Sequence, residues 1–165
     1  MKKTKLISLC LVFVILLFAF SACGDEEILT ETFTYGEFSI VLPLGFSEDQ
    51  ETADEAGLTY VLTNDVEYLC GVIESKQSLA NYGYEISSLA EYAAVITDLY
   101  GTDAQIQQND DYYYIVYEAS AEGFDFKYLT CFFENDSAYL SVTYYTFFSL
   151  FNLEKAHSYM DGVSF

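Results

Sequence analysis

The chain has 165 residues, of which 26 are acidic and six are lysine or arginine, so its formal net charge is −20. This balance argues against nucleic acid as a partner, because phosphate binding needs a basic surface. High net charge often accompanies disorder, but 16 tyrosines and 14 phenylalanines supply enough apolar area for a packed core.

The N-terminal segment has the pattern of a secretory signal peptide. Three lysines precede an almost purely apolar run over residues 6–20, and two small residues follow that run. A positive start, an apolar stretch and a small-residue cleavage site are typical of an exported precursor. An uncleaved membrane helix is the alternative, but residues 6–22 only just reach the length of a bilayer span. We expect residues 1–22 to be removed.

The expected cleavage site contains Phe20, Ser21, Ala22 and Cys23. These residues resemble a bacterial lipobox, in which small residues precede the cysteine that becomes the lipidated N-terminus. The resemblance implies a diacylglyceryl thioether and an N-acyl group on Cys23, and several acyl chains together hold a protein stably on a bilayer. The polar residues 23–32 then predict a short tether on the outer face of the cell membrane.

The remaining chain has the length of one domain, which we place at residues 33–165. From Cys23 onward the chain keeps all 26 acids and only Lys76, Lys127 and Lys155, which gives a formal charge of −23. This charge predicts a well-solvated surface that anionic lipid headgroups repel. Contact with the membrane is therefore expected through the lipid anchor.

The domain opens with a strand pattern and an acidic segment. A β-rich run over residues 38–42 ends at Pro43 and Gly45, which predicts a strand followed by a turn. Residues 47–57 are mostly acidic or small and predict a surface loop.

Two further strand patterns cover residues 58–63 and 66–75. Asn64 and Asp65 provide turn chemistry between them, so the two strands are expected to form a hairpin. Residues 76–87 are polar and are expected to be irregular.

Residues 88–100 predict an amphipathic helix. Ser88 and Glu91 form a capping box at its start, and Gly101 fits the left-handed position after its end. The apolar stripe consists of Leu89, Tyr92, Ala93, Ile96, Leu99 and Tyr100, and the first four of these residues should be buried against the sheet.

Strand patterns then dominate, over residues 112–119, 124–133 and 137–148. The first of these is apolar on both faces, which predicts a central strand that is covered on both sides. Asn152 provides a cap for a last helix over residues 153–160.

Strands and helices in this order, with short links between consecutive strands, predict an α+β fold built on one antiparallel sheet. The order, the glycine- and proline-bounded motif over residues 36–46 and the closing residues 163–165 resemble the Mog1/PsbP-like fold. The resemblance implies an antiparallel sheet sandwiched between helices. It also implies diverse, mostly non-enzymatic roles, and it assigns no functional residue.

Candidate chemistry is sparse. His157 is the only histidine, and Glu154 lies three residues before it, on the same face of the predicted helix. Such a pair could hold a metal or relay a proton. A single imidazole without further partners instead favours a surface or half-buried side chain near a helix C-terminus.

The acidic loop could hold Ca²⁺ through the carboxylates of Glu48, Asp49, Glu51, Asp54 and Glu55. The alternating acids, central glycine and closing glutamate of an EF-hand are missing from it, so a solvated loop is the favoured interpretation.

Two cysteines of the domain, Cys70 and Cys131, leave a disulfide and two buried thiols open as alternatives. Their spacing fits no metal template. No serine-nucleophile motif and no phosphate-binding glycine loop occurs from Cys23 onward. We therefore predict no catalytic, metal-binding or cofactor-binding residue.

Tyrosines are the most unusual feature of the predicted strands. The seven on strands are Tyr112, Tyr113, Tyr114, Tyr117, Tyr139, Tyr144 and Tyr145. Exposed tyrosines could bind a glycan or a protein. The favoured interpretation places them in the interfaces between helices and sheet, since tyrosine suits half-buried strand positions.

The sequence thus predicts a non-enzymatic, lipid-anchored envelope protein that binds a partner, protein or glycan, or supports an assembly. One alternative is a hydrolase-type enzyme whose carboxylates converge only in three dimensions. Another is an extracytoplasmic binder of small ligands or cations.

Overall fold

The computed structural model describes residues 28–165, so the predicted signal peptide, the lipobox and Cys23 lie outside the described residues. No helix within residues 28–165 is both long enough and apolar enough to cross a membrane. In chain order the elements are β1 (Thr30–Tyr35), β2 (Phe38–Pro43), β3 (Ser47–Glu48), α1 (Gln50–Ala56), β4 (Tyr60–Thr63), β5 (Glu67–Ser75), α2 (Lys76–Asn81), α3 (Leu89–Leu99), β6 (Gln107–Gln108), β7 (Tyr113–Ala121), β8 (Phe124–Glu134), β9 (Ala138–Phe147), a short 3-10 helix (Phe148–Leu150), α4 (Leu153–Met160) and β10 (Val163–Ser164).

These elements form one α+β domain with two antiparallel sheets. The large sheet has the strand order β3-β4-β5-β9-β8-β7-β6, and the small sheet has the order β1-β2-β10. The α+β prediction is confirmed, but the expectation of one sheet was wrong, because β2 pairs with β1 and β10 and with no strand of the large sheet. Residues 30–32, expected in the tether, pair with β2 as part of β1.

One face of the large sheet is covered by the small sheet and α4. Phe38, Ile40 and Leu42 of β2 are fully buried there, against Leu140 and Val142 of β9. The last helix was predicted correctly, because the Asn152 side chain accepts the Lys155 N–H at 3.0 Å and so begins α4.

The opposite face of the large sheet is covered in part by α3. The Ser88 hydroxyl accepts the Glu91 N–H at 3.3 Å, as predicted, and the Glu91 carboxylate accepts the Ser87 N–H at 2.7 Å. Gly101 has the expected left-handed backbone, with φ +62°. The helix is therefore capped at both ends by its own sequence.

The apolar stripe of α3 is buried only along its first two turns. Tyr92, Ala93 and Ile96 are buried against the sheet, and Leu89 is half-buried. Leu99 and Tyr100, which continue the stripe at the C-terminal end of the helix, are 66% and 44% exposed. The residues of α3 that cover the sheet therefore lie in its first two turns.

Two segments that were predicted to be irregular contain short helices. In the acidic segment, the Asp49 side chain accepts the Thr52 N–H at 3.0 Å and begins α1, and Gly57 ends it at φ +68°. Ser75 caps α2 in the same way. The loop predictions were wrong because these caps satisfy backbone groups at the helix ends, which stabilises a helix even in a polar segment.

The predicted position of β7 was also wrong. β9 is the central strand, and β7 lies next to the short edge strand β6. Both faces of β7 are nevertheless covered near its start, with Tyr114 and Val116 towards the small sheet and Ile115 towards α3.

Candidate functional site

Four tyrosines form a row across the α3-side face of the large sheet. Tyr68 of β5, Tyr145 of β9, Tyr128 of β8 and Tyr117 of β7 are paired in register on neighbouring strands. Their ring centroids are 4.9, 5.2 and 4.8 Å apart in that order, with interplanar angles of 10°, 24° and 6°. We call these four residues the tyrosine row.

The spacing fixes how the rings stand on the sheet. Parallel rings whose centroids are this close must overlap face to face, because rings side by side in one plane would collide. The separation matches the distance between neighbouring strands, so each ring stands on its strand and stacks on the next. All four side chains are half-buried, so the row presents only the outer edges of its rings to the surroundings.

A second aromatic row lies beside the first, nearer to the β7–β8 turn. Phe126 and Phe147 stack at 5.0 Å, and Phe124 packs edge-on against Phe147 at 5.8 Å. Phe124 is 57% exposed, whereas Phe126 and Phe147 are half-buried like the tyrosine row. The tyrosine row and these three phenylalanines together are called the aromatic face below.

The aromatic face is open because α3 is too short to cover it. At the other end of the same sheet face, Tyr92 of α3 stacks on Tyr139 at 4.5 Å and meets Phe132 edge-on. A helix of 11 residues is about 16 Å long, whereas a strand of 10 residues such as β9 spans about 34 Å. The helix therefore covers only one end of the strands.

The aromatic face carries no charge of its own at neutral pH. Burial raises the pKa of Tyr117, Tyr128 and Tyr145 above the usual value of a phenol, so their hydroxyls stay protonated. Burial also raises the pKa of Tyr100, which borders the tyrosine row at 5.9 Å from Tyr117. The result is an uncharged aromatic strip on a strongly acidic protein.

The predicted tyrosines divide between the core and this surface. Tyr112, Tyr139 and Tyr144 are buried in the interfaces, as the favoured interpretation had it. Tyr117 and Tyr145 stand in the open row instead. Sequence reasoning missed their partners Tyr68 and Tyr128. The registers of the β7–β8 and β8–β9 hairpins align Tyr117, Tyr128 and Tyr145, but Tyr68 joins the row only through the long-range pairing of β5 with β9.

His157 contacts tyrosines and not Glu154. Its Nδ1 lies 2.8 Å from the Tyr112 hydroxyl, and its ring packs edge-on against Tyr114 at 4.8 Å. Glu154 is exposed on the first turn of α4. The histidine is half-buried at the rim of the core, where it satisfies the Tyr112 hydroxyl.

The acids around α1 are engaged in local structure. Glu48 accepts the Tyr35 hydroxyl at 2.7 Å, Asp49 caps α1, and Asp54 accepts the Gln50 amide at 2.7 Å. The Thr52 N–H and hydroxyl hold the pKa of Asp49 below its usual range. Within residues 28–165, no group of three or more His, Cys, Asp or Glu side chains is placed to share a metal ion.

Cys70 and Cys131 are not joined to each other. Cys70 pairs with Thr143, Thr143 pairs with Thr130, and Cys131 is the next residue along β8. Because successive strand residues point to opposite faces, the two thiols lie on opposite sides of the large sheet. Burial raises the pKa of Cys70 to about 12, so its thiol is inert at neutral pH.

A buried carboxylate that sequence reasoning missed lies at the end of β5. Glu67 accepts the Tyr144 hydroxyl at 2.7 Å, the Asn64 amide at 2.8 Å and the Lys155 ammonium at 2.6 Å. Burial favours the neutral acid, but these hydrogen bonds outweigh it and lower the pKa of Glu67. Its partners come from separate elements, so no local pattern reveals the network.

One cavity of about 430 Å³ brings carboxylates together. It lies between β8, the end of α4 and the C-terminal residues, and Asp111, Glu134 and Asp161 line it beside Tyr112. Glu134 is paired with Lys76 at 3.0 Å. This cavity, with the adjoining hollow that Asp110, Asp111 and Glu134 line, is a place where the hydrolase alternative could put its chemistry.

Comparison with known proteins shows the fold alone. No protein-family model matches the chain, and no curated protein matches it. A crystal structure of a protein from Bacteroides thetaiotaomicron VPI-5482 is similar, with a TM-score of 0.53 and 11% sequence identity. The match covers 82% of this chain and 47% of that one, so this chain spans about half the length of the similar structure.

Proposed function

We propose that this protein is an exported, lipid-anchored and non-enzymatic module that binds a partner protein through the aromatic face. One observation carries the proposal: seven aromatic side chains that pack on one another remain half-buried or exposed on a sheet face whose other end is sealed by α3. Contiguous apolar surface rimmed by polar residues is typical of interaction sites. Tyrosine and phenylalanine are enriched in protein interfaces, and tyrosine is also enriched among the residues that dominate binding energies.

The geometry favours a protein over a glycan as the partner. A sugar ring packs against the flat face of an aromatic ring, but the faces within the tyrosine row are already covered by neighbouring rings. The exposed ring edges are suited to the apolar side chains of a polypeptide.

The layered arrangement supports the Mog1/PsbP-like assignment as part of this proposal. α4 and the small sheet lie on one side of the large antiparallel sheet, and α3 lies on the other. Members of that superfamily act mostly without catalysis, which agrees with a binding role but does not identify the partner.

Site-specific photocrosslinking in the producing cells tests the proposal. A photoreactive phenylalanine analogue at Phe126 or Phe124 should capture one defined protein. The matched control is the same analogue at Val41, which is 40% exposed on the small sheet. Capture of the same species from Val41, or no capture from the aromatic face, would refute the assigned surface.

The anchor is tested separately. Cys23→Ala should abolish lipidation and release the protein from the membrane, and mass spectrometry of the wild-type protein should find a modified Cys23. An unmodified Cys23, or a retained segment of residues 1–22, would refute the proposed lipid anchor without affecting the proposed binding surface.

The acid-lined cavity gives the enzyme alternative a concrete test. The purified protein should turn over no ester, glycoside, phosphate or peptide substrate, with or without divalent cations. Turnover that disappears in Asp111→Asn or Asp161→Asn, with folding unchanged, would establish the hydrolase instead.

A further inference from the structure

Exposed apolar side chains gather at one end of the large sheet. The pairing of β4 with β5, of β5 with β9, of β9 with β8 and of β8 with β7 brings the β4–β5 turn, the β7–β8 turn and the end of β9 to this end. Six large apolar side chains there are between 44% and 70% exposed, and we call them the apolar rim: Ile28, Leu29, Leu44, Val66, Phe148 and Leu150.

The described chain begins at this end of the sheet. The Leu44 N–H donates to the Leu29 carbonyl at 3.0 Å, so the residues before β1 lie beside those before β3. Ser47 of β3 then pairs with the last residue of β4. Ile28, Leu29 and Leu44 therefore lie next to the β4–β5 turn, which carries Val66.

The β4–β5 turn also connects to the other half of the rim. The Thr146 hydroxyl donates to the Val66 carbonyl at 2.7 Å, one residue before β9 ends. Phe148 and Leu150 follow at once in the short 3-10 helix. The rim thus extends across the end of the sheet from the start of β1 to the 3-10 helix.

The rim lies close to the expected lipid anchor. Cys23 precedes Ile28 by five residues, and an extended chain of that length spans at most about 18 Å. Lipidation would hold Cys23 at the bilayer surface, so Ile28 would stay within that distance of the lipid. Clustered apolar side chains on a surface are typical of contacts with a protein or a membrane, and the short link to the anchor favours the membrane.

We propose that the apolar rim rests in the interfacial layer of the bilayer to which the chain is anchored, with the strands of the large sheet standing upright on the membrane. The inference rests on the proposed lipidation of Cys23 and adds a second contact that orients the domain. Apolar side chains of peripheral proteins enter the boundary between headgroups and acyl chains, and aromatic rings favour the headgroup level.

Charge decides which lipids fit the rim. Asp65 and Glu154 are exposed beside it, and residues 25–27 of the predicted tether are acidic. Anionic headgroups are repelled by these carboxylates, whereas zwitterionic headgroups are not. The rim should therefore enter phosphatidylcholine more deeply than phosphatidylglycerol.

The orientation places the aromatic face close to the lipid. Phe124 begins β8 at the same end of the sheet, and Tyr128 lies four residues further on, about 13 Å along the strand. The partner protein proposed above therefore has to reach the tyrosine row near the bilayer surface, as a membrane protein or another anchored protein can.

Tryptophan fluorescence tests the orientation, because the chain has no tryptophan of its own. Phe148→Trp and Tyr82→Trp are compared in the lipid-modified protein, in phosphatidylcholine vesicles with brominated acyl chains. Tyr82 is 83% exposed and follows α2, at the opposite end of the sheet. Bromine quenches only a nearby indole, so Phe148→Trp should lose most of its fluorescence and Tyr82→Trp should keep it. Equal quenching of the two, or quenching of neither, would overturn the proposal.

Two further variants keep the test valid if Phe148→Trp fails to fold. Leu150→Trp places the probe two residues further along the same rim and should be quenched as strongly. In either background Leu44→Ser should weaken the quenching, whereas Leu99→Ser, at a leucine that is 66% exposed outside the rim, should not. Identical effects of the two serine substitutions would show that the rim is not the contact.

Mass spectrometry separates this inference from the proposed anchor. A modified Cys23 without quenching at position 148 would refute the rim and leave the anchor standing. An unmodified Cys23 would refute both, whereas crosslinking from Phe126 would still decide the aromatic face.

Two other occupants of the rim have their own signatures. Association in sedimentation without lipid, together with shielding of the Phe148→Trp indole from iodide, would replace the bilayer with a second copy of this chain. A photoreactive group at Leu150 that captures a protein in the producing cells would replace it with a protein partner.

Discussion

The two faces of the large sheet are formed by the same strands, but they are covered to different extents. On one face the small sheet and α4 cover the whole length of the central strand β9, and Leu129, Leu140 and Tyr144 are fully buried. On the other face α3 seals one end and leaves the aromatic face uncovered at the other. Both faces are rich in aromatics, so the covering elements and not the strands decide which surface is core.

The contrast separates two uses of tyrosine in one sheet. On the sealed face, the hydroxyl of Tyr144 pairs with Glu67 and that of Tyr112 pairs with His157. In the open row, stacking orders the rings while their edges remain accessible. A rigid, ordered surface loses little side-chain entropy on binding, which favours its use as a docking surface.

The largest expected change in the free energy of unfolding comes from alanine substitutions at two neighbouring residues of β8, whose side chains point to opposite faces of the sheet. Leu129→Ala on the sealed face should lower the free energy of unfolding by about 2–5 kcal/mol, because it leaves a cavity. Tyr128→Ala on the open face should cost about 1–2 kcal/mol through lost stacking. Urea unfolding measures both, and equal costs would mean that the open face is covered in solution.

A close contact on the sealed face gives the next prediction. A methyl group at Gly71 would lie 2.5 Å from the ring of Tyr60, so Gly71→Ala should destabilise the protein by about 1–3 kcal/mol. The cost should shrink when Tyr60→Leu removes the ring, because the two substitutions share one contact. An unchanged cost in the double variant would show that the strain has another source.

The sequence predicts the helices and hairpins better than it predicts which of these elements pack against one another. The caps of α3 and α4 and the hairpin turns are local signals, and the structure confirms them. The second sheet depends on β10 joining β2 across the chain, which no local pattern encodes. The aromatic face escaped notice for the same reason, since its openness follows from where α3 ends relative to four strands.

The buried carboxylate on the sealed face predicts an acid-sensitive fold. Hydrogen bonds keep the folded pKa of Glu67 below the value of 4.5 that the carboxyl has when unfolded. The unfolded chain therefore binds more protons, and the stability that is fully present above pH 4.5 is lost as pH falls through the folded pKa. Glu67→Gln should cost about 1–3 kcal/mol at pH 7 and flatten this decline.

Chemical unfolding at a series of pH values between 7 and 3 measures that slope. The matched control is Glu55→Gln, which removes one carboxylate from the exposed surface of α1. Identical slopes for Glu67→Gln and Glu55→Gln would contradict the role assigned to the Glu67 network.

The smallest expected change in stability comes from removing a single tyrosine hydroxyl from each face of the large sheet. The Tyr60 hydroxyl is buried and has no hydrogen-bond partner among residues 28–165, whereas the ring of Tyr128 stands half-exposed. Because an unsatisfied buried hydroxyl opposes folding, Tyr60→Phe should stabilise the protein, by about 1 kcal/mol. Tyr128→Phe should stay within about 0.5 kcal/mol of the wild type, since water replaces what is lost. Thermal unfolding of both variants measures the difference, and destabilisation by Tyr60→Phe would mean that a partner for this hydroxyl exists in solution. A cost above 1 kcal/mol for Tyr128→Phe would show that the open row is held by its hydroxyls and not by ring stacking.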